Sequence, residues 1–135
     1  MSAFTPNELE YLAERRPERL GRIATVGKDG TPHVVPVGWR LNDELDTIDV
    51  GGMNFARTKK FRDARRSGRA SIVIDDLVST DPWQPRGIEI RGRAQAIEGE
   101  RPLVRIHPER IVSWGIESED FTQRHSRKVT GSSVR

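Results

Sequence analysis

The chain has 135 residues, a net charge of +3 and a hydrophobic fraction of 34%, which fits one domain with a modest core. It contains no cysteine, so disulfides, thiolate metal sites and a cysteine nucleophile are excluded. No apolar run reaches the length of a membrane-spanning helix, and the N-terminus lacks the apolar stretch of a signal peptide. We therefore expect a cytoplasmic protein with no membrane partner, in which the small core favours pairing with a second copy.

The first half of the chain predicts two helices around three strands. Thr5 and Glu8 have the spacing of a capping box, and the helix that they begin is expected to end near Arg16, before Pro17. A second helix is predicted over residues 55–66, closed by a serine and a glycine. Strands are predicted over residues 20–26, 33–41 and 45–50.

The second half predicts three more strands and a polar tail. Apolar and polar residues alternate most regularly over 88–96, as in a strand with one buried face. The other strands are predicted over 70–75 and 101–112, and residues 81–85, which include two prolines, are predicted as a loop. Six short strands with two short helices predict a mainly β protein, typical of a closed or nearly closed antiparallel barrel. The predicted organisation is one domain over residues 1–116 and a peripheral or partly disordered tail over 117–135.

A basic segment follows the third strand. Residues 57–69 contain seven basic residues and one acidic residue, and they follow Gly51 and Gly52 into the second predicted helix. A helix N-terminus offers free backbone N–H groups and a positive dipole end, which favours a phosphate there. A solvated basic helix face fits the same composition, so the segment alone leaves both interpretations open.

Two further segments carry weaker signals. Pro36 inside the strand over 33–41 lacks a donor and favours an edge position, and Gly38 would let a flat ligand approach the backbone. Trp114, next to Gly115, could stack on a ligand or fill the core. Taken alone, these segments are better explained by an ordinary edge strand and a core tryptophan.

Conventional catalytic motifs are absent. The three histidines are scattered without metal-ligand spacing, and no nucleophile elbow or glycine-rich phosphate loop is present. Asp75 and Asp76 form a carboxylate pair, which we interpret as the entry to a loop rather than an acid/base dyad. The sequence therefore predicts neither a metal site nor a set of catalytic side chains.

Taken in order, these segments resemble the pyridoxamine 5′-phosphate oxidase-like split-barrel superfamily. Within it, the chain is similar to small actinobacterial F420-dependent oxidoreductases. The resemblance implies a six-stranded antiparallel split β-barrel of the FMN-binding type, and it spans most of residues 19–116. The matching segments are residues 19–26, 30–37, 59–64, 69–76, 86–94 and 111–115.

The resemblance also implies a redox cofactor bound at a homodimer interface, with hydride transfer between coenzyme F420, a deazaflavin, and an unknown small organic acceptor. Members of the superfamily often carry a Ser-Arg-Lys triplet where Thr58, Lys59 and Lys60 stand, and lysine lacks the bidentate fork of arginine. Arg57 or Arg62 would then compensate. The implied cofactor-binding residues are Val35, Pro36, Val37, Gly38, Gly51, Gly52, Arg57, Thr58, Lys59 and Lys60, with Trp83, Arg86 and Trp114 as contacts from the partner subunit.

Three alternatives to F420-dependent reduction remain. The same fold could hold FMN in an FMN-binding oxidoreductase, or it could bind either cofactor without catalysis. A nucleic-acid module is disfavoured because the basic segment has only Phe61 and no interleaved stacking aromatics.

Overall fold

The computed structural model describes residues 2–14 and 18–129. These residues form eight strands, two α-helices and one short 3-10 helix. The helices are α1 (Pro6–Ala13), the 3-10 helix (Phe55–Arg57) and α2 (Lys59–Ser67). The strands are β1 (Gly21–Val26), β2 (Pro32–Val37), β3 (Trp39–Asn42), β4 (Thr47–Gly51), β5 (Arg69–Thr80), β6 (Trp83–Ile97), β7 (Leu103–Trp114) and β8 (Arg124–Lys128). Within the described ranges, no helix is long and apolar enough to cross a membrane.

The strands form one curled antiparallel sheet in the order β2-β1-β5-β6-β7-β4-β3, with β8 paired to β7. Strands β2 and β3 lie at opposite ends of this order, yet only Gly38 separates them in the chain. The two ends of the sheet must therefore meet at Gly38, which curls the sheet into a half-barrel. This confirms the predicted mainly β, antiparallel split-barrel architecture.

The strand number and several boundaries were predicted wrongly. The single strand predicted over 33–41 is divided at Gly38 into β2, which pairs with β1, and β3, which pairs with β4. The loop predicted over 81–85 is mostly strand, because β5 and β6 continue their pairing to Thr80 and Trp83 in a long hairpin. Residues 124–128 of the predicted tail form β8, and residues 130–135 of that tail lie outside the described residues.

The helices also differ from their predicted bounds. The capping box of Thr5 and Glu8 is present, but α1 ends at Ala13, and residues 15–17 lie outside the described residues. The helix predicted over 55–66 is interrupted at Thr58, whose extended backbone (φ −79°, ψ 154°) ends the 3-10 helix. The Thr58 hydroxyl accepts a hydrogen bond from the Phe61 amide and caps α2, as threonine commonly does.

Alternating apolar residues from the strands build the core. Ile88 and Ile90 are fully buried on β6, in the segment with the most regular alternation. Phe55 and Phe61 pack edge to face, with ring centroids 5.9 Å apart, and both are buried. This aromatic pair fixes the 3-10 helix and α2 against the sheet.

An ion pair attaches the two ends of the described chain to each other. The Glu8 carboxylate on α1 is fully buried and accepts a hydrogen bond from Arg127 Nη1 on β8 at 3.0 Å. Burial alone would raise the pKa of Glu8, but the hydrogen bonds from Arg127 and from the Thr5 amide hold it below its ordinary value. Because both partners are needed to neutralise the buried charge, α1 and β8 depend on each other.

Gly92 permits the closest approach between β6 and β7. The strand pairing shifts between Arg91 and Gly92, opposite Pro108, and a Cβ at position 92 would lie 1.9 Å from the His107 carbonyl oxygen. We expect Gly92→Ala to reduce the free energy of unfolding by about 2–4 kcal/mol, since the backbone must move to relieve the overlap. Chemical denaturation would measure the change. Gly52→Ala is the matched control, because its Cβ would come no nearer than 3.8 Å to Phe55; equal stabilities of the two variants would contradict this account.

Candidate functional site

A cavity lies where the two ends of the sheet meet. Its volume is about 760 Å³, within the range of sites that hold a cofactor or small ligand. Its walls are the start of β3, the end of β4, the 3-10 helix and the β6–β7 turn. They comprise residues 38–40, 49–52, 54–57 and 99–103.

Three glycines leave the cavity walls open at the backbone. A Cβ at Gly38 would meet no atom within 4 Å, and one at Gly52 would come no nearer than 3.8 Å to Phe55. At Gly51 a Cβ would approach the Pro102 carbonyl oxygen to 3.4 Å. Side chains at Gly38 and Gly52 would therefore project into open space, so a flat ligand can approach the backbone only because these residues lack them.

Asp49 fixes the wall between β4 and its neighbours. Its buried carboxylate accepts two hydrogen bonds from Arg105 on β7, at 3.0 and 3.1 Å, and one each from Asn42 and Thr47 at 3.0 Å. Burial alone would raise the pKa of Asp49, but these hydrogen bonds, the strongest from Arg105, hold the pKa below its ordinary value. Asp49 therefore stays ionised and neutralised by Arg105 at neutral pH.

The remaining charges make the cavity cationic. Arg40, Arg57 and Arg101 line it and are exposed, and their guanidinium groups have no ion-pair partner among residues 2–14 and 18–129. Glu100 is the one lining carboxylate, within those ranges, that no arginine neutralises. Three guanidinium groups and one carboxylate around the cavity provide a site for an anionic ligand. Guanidinium groups can bind phosphate or carboxylate oxygens through two parallel hydrogen bonds.

The structure separates the residues of the predicted phosphate site. Arg57 lines the cavity, and the Lys60 ammonium lies 5.1 Å from the ring centroid of Phe55, which also lines it. Lys59 instead lies 3.5 Å from Asp63 and lines a second cavity with Lys28. The Thr58 hydroxyl caps α2 and donates to the Phe55 carbonyl at 2.7 Å.

The predicted residues of β2 do not line the cavity. Val37 is buried in the core, whereas Val35 and Pro36 are exposed along β2. Strand β2 ends the sheet, so one of its edges has no partner strand among the described residues. Of the predicted set, Gly38, Gly51, Gly52 and Arg57 are brought together around one cavity.

The three residues predicted to reach across a dimer interface lie away from that cavity. Trp83 is exposed at the end of the β5–β6 hairpin, and Trp114 is half-buried beneath Arg124, whose guanidinium carbon is 5.3 Å from its ring. Arg86 pairs with Asp76 at 2.9 Å and lies 4.9 Å from the Tyr11 ring. Asp76 thus belongs to this ion-pair group within β5, so the predicted loop entry at Asp75 and Asp76 was wrong.

Sequence reasoning missed Arg40, Asn54 and Arg101. None of them belongs to a motif, and each lies on a different wall of the cavity: Arg40 on β3, Asn54 before the 3-10 helix and Arg101 in the β6–β7 turn. Asn54 has a left-handed backbone (φ 49°), which is uncommon for a residue with a side chain. Only the strand pairing brings these walls together, so no local pattern identifies the three residues.

Comparisons with known proteins identify the family. The sequence profile of the pyridoxamine 5′-phosphate oxidase family matches residues 8–135. The chain belongs to this family. A 5a,11a-dehydrotetracycline/5a,11a-dehydrooxytetracycline reductase of Streptomyces rimosus is 40% identical to it over 136 residues, covering 94% of each protein. Together these matches support an oxidoreductase.

Solved structures support the fold. An F420 reductase superposes with a TM-score of 0.54 at 15% identity, over 69% of this chain and 88% of that one. A FAD-binding protein from Mesorhizobium loti gives 0.60 at 19% identity, over 89% and 93%. At these identities the likeness shows the split-barrel fold alone. The family match supports a flavin or deazaflavin cofactor.

Asp49 gives a pH-dependent test of the cavity wall. We expect Asp49→Asn to reduce the free energy of unfolding by about 2–3 kcal/mol at pH 7, because the variant leaves Arg105 without its charged partner. The folded-state pKa of Asp49 lies below its unfolded value, so its stabilisation is present above about pH 4 and disappears as the pH falls through the folded pKa. Urea denaturation would show the difference in the free energy of unfolding between wild type and Asp49→Asn shrinking from pH 7 to pH 3. The exposed Asp43→Asn is the control. A difference for Asp49→Asn that stayed constant with pH would contradict the assignment.

Proposed function

We propose that this protein is a reductase that binds reduced coenzyme F420 in the 760 Å³ cavity and catalyses hydride transfer to an unsaturated ring ketone. The observation that carries the proposal is the combination, in one cavity, of glycine backbone and three arginines without ion-pair partners in the described ranges. A flat ring with attached anionic groups fits such a site. A cytoplasmic location belongs to the proposal as well.

The residues fit the chemistry of a deazaflavin. Gly38 and Gly52 leave room for a planar ring, since a Cβ at either position would be near open space. Arg57 and Lys60 stand where the 3-10 helix meets α2 and would hold the phosphate. Arg40 and Arg101 remain for the carboxylates of the acidic tail. When bound, the reduced cofactor supplies the hydride, and the protein supplies position and electrostatics.

The lining residues also bear on the proton that must accompany the hydride. Among residues 2–14 and 18–129, those that line the cavity include no histidine, cysteine, tyrosine or lysine. Asp49 is held ionised by Arg105 and has no proton to donate. In the proposed reaction the protein therefore orients cofactor and acceptor, and water reaching the open cavity provides the proton.

The substrate class follows from the 40% identical relative, which is named as a reductase of dehydrotetracyclines. The match covers 94% of each protein, so the two chains are similar over nearly their whole length. We propose a polycyclic unsaturated ketone as the acceptor. An FMN-binding enzyme and a non-catalytic cofactor-binding protein remain the alternatives, since FMN shares the flat ring and the ribityl phosphate.

A homodimer completes the proposal. The outer edge of β2 has no partner strand among the described residues, and Val34 and Val35 are 64% and 39% exposed there. Trp83 is 65% exposed on the β5–β6 hairpin. Exposed apolar residues along an unpaired edge favour coverage by a second copy, which would bring Trp83, Arg86 and Trp114 to the partner's cofactor.

Parallel titration with F420 and FMN tests the cofactor. We expect saturable binding of F420 and, with the reduced form, reoxidation on adding 5a,11a-dehydrotetracycline, followed by F420 absorbance and fluorescence. Tight binding of FMN alone would move the protein to the FMN alternative. Binding of F420 without turnover of any enone or quinone would favour a non-catalytic binding protein. Light scattering of the loaded samples tests the dimer, and a monomer that retains affinity would contradict the shared site.

Single alanine variants test which basic residues hold the phosphate. We expect Arg57→Ala and Lys60→Ala each to weaken F420 binding by about 1.5–3 kcal/mol, the usual contribution of a charge-assisted hydrogen bond. Lys59→Ala is the matched control, because Lys59 lines a different cavity and contacts Asp63. Fluorescence titration measures all three, and a loss confined to Lys59→Ala would place the phosphate on the other side of α2.

A further inference from the structure

Met53 is the most exposed large apolar residue of the described chain. Its exposed fraction is 91%, compared with 65% for Trp83 and 64% for Val34. It lies in the turn between β4 and the 3-10 helix, between Gly52 and Asn54, both of which line the cavity. An exposed methionine thus lies in the chain directly between two residues that line the candidate site.

The large apolar side chains of the cavity wall are mostly covered. Its aromatic residues, Trp39 and Phe55, are only 6% and 2% exposed, and Val50 is fully buried. Pro102 and Leu103, where β7 begins, are half-buried and supply part of the apolar lining. A fused-ring substrate above the cofactor would find a further, exposed apolar side chain at Met53.

The turn is anchored on the C-terminal side of Met53 and is less restricted on its N-terminal side. The Arg57 amide donates to the Asn54 carbonyl at 3.0 Å, and Phe55 is anchored in the core. On the N-terminal side of Met53, a Cβ added at Gly52 would have only Phe55 within 4 Å. A methionine side chain in such a turn can adapt to ring systems of different shape, because its thioether is flexible and polarisable.

We infer that Met53 is a specificity-determining residue that packs against the apolar face of a polycyclic substrate at the cavity rim. This inference rests on the proposed function and adds to it the side chain that separates fused-ring acceptors from small ones. Met53 contributes nothing to anion binding, so its replacement affects the substrate and leaves the cofactor bound.

The test compares Met53→Gln, which keeps the length and adds polarity, with Met53→Leu, which keeps the apolar character. Tetracycline serves as an unreactive fluorescent probe of the substrate site. We expect Met53→Gln to raise its Kd about 5- to 10-fold, the effect of losing apolar burial of one side chain, and Met53→Leu to change it less than about 2-fold. Leu45→Gln is the control, because Leu45 is 48% exposed in the β3–β4 turn, away from the cavity.

Selectivity and cofactor affinity separate this role from a structural one. With reduced F420, kcat/KM of Met53→Gln should fall for 5a,11a-dehydrotetracycline and stay level for cyclohexenone, while the Kd for F420 is unchanged. An unchanged tetracycline Kd, a parallel loss of F420 affinity, or dissociation of a dimer in light scattering would each overturn the inference. If the wild-type protein binds neither F420 nor FMN, the proposed function fails, and the tetracycline titration still decides on Met53.

Discussion

The single residue between β2 and β3 is the constraint on which the architecture depends. Because these strands end opposite sides of the sheet, Gly38 forces the sheet to curl until its two ends meet. That closure brings the start of β3 beside the end of β4 and the β6–β7 turn. The cavity is thus a consequence of topology, and the glycines at 38, 51 and 52 keep it from being filled by side chains.

Arginines serve two distinct purposes in this small protein. Arg86, Arg105 and Arg127 each satisfy a buried or half-buried carboxylate and tie separate elements together. Removing such a partner leaves a desolvated charge behind, which is why these pairs matter for stability. Arg40, Arg57 and Arg101 face the cavity without a carboxylate partner within the described ranges, so their charge is available to a ligand. The difference between the two groups lies in their partners and not in their sequence context.

The features predicted correctly are those that depend only on residues close together in the sequence. The capping box at Thr5 and Glu8, the alternation over 88–96 and the closing glycine of α2 all lie where the sequence indicated. The division at Gly38 was missed because a single glycine is the only residue between β2 and β3, and their different partner strands separate them. The length of the β5–β6 hairpin was missed because two nearby prolines are typical of a loop. In the structure, Pro85 pairs with Leu77 within the hairpin.

The candidate site shows the same limit. Gly38, Gly51, Gly52 and Arg57 were identified through the resemblance, whereas Arg40 and Arg101 have no neighbouring signal and reach the cavity only through the meeting of two sheet ends. The resemblance implied that Thr58, Lys59 and Lys60 hold the phosphate together, but helical geometry turns Lys59 toward Asp63 and leaves Lys60 beside Phe55. Successive residues on a helix point in different directions, so a cluster in sequence becomes two surfaces in space. The specificity of the proposed enzyme therefore depends on which basic residues share a wall with the glycines, a property of the fold and not of composition.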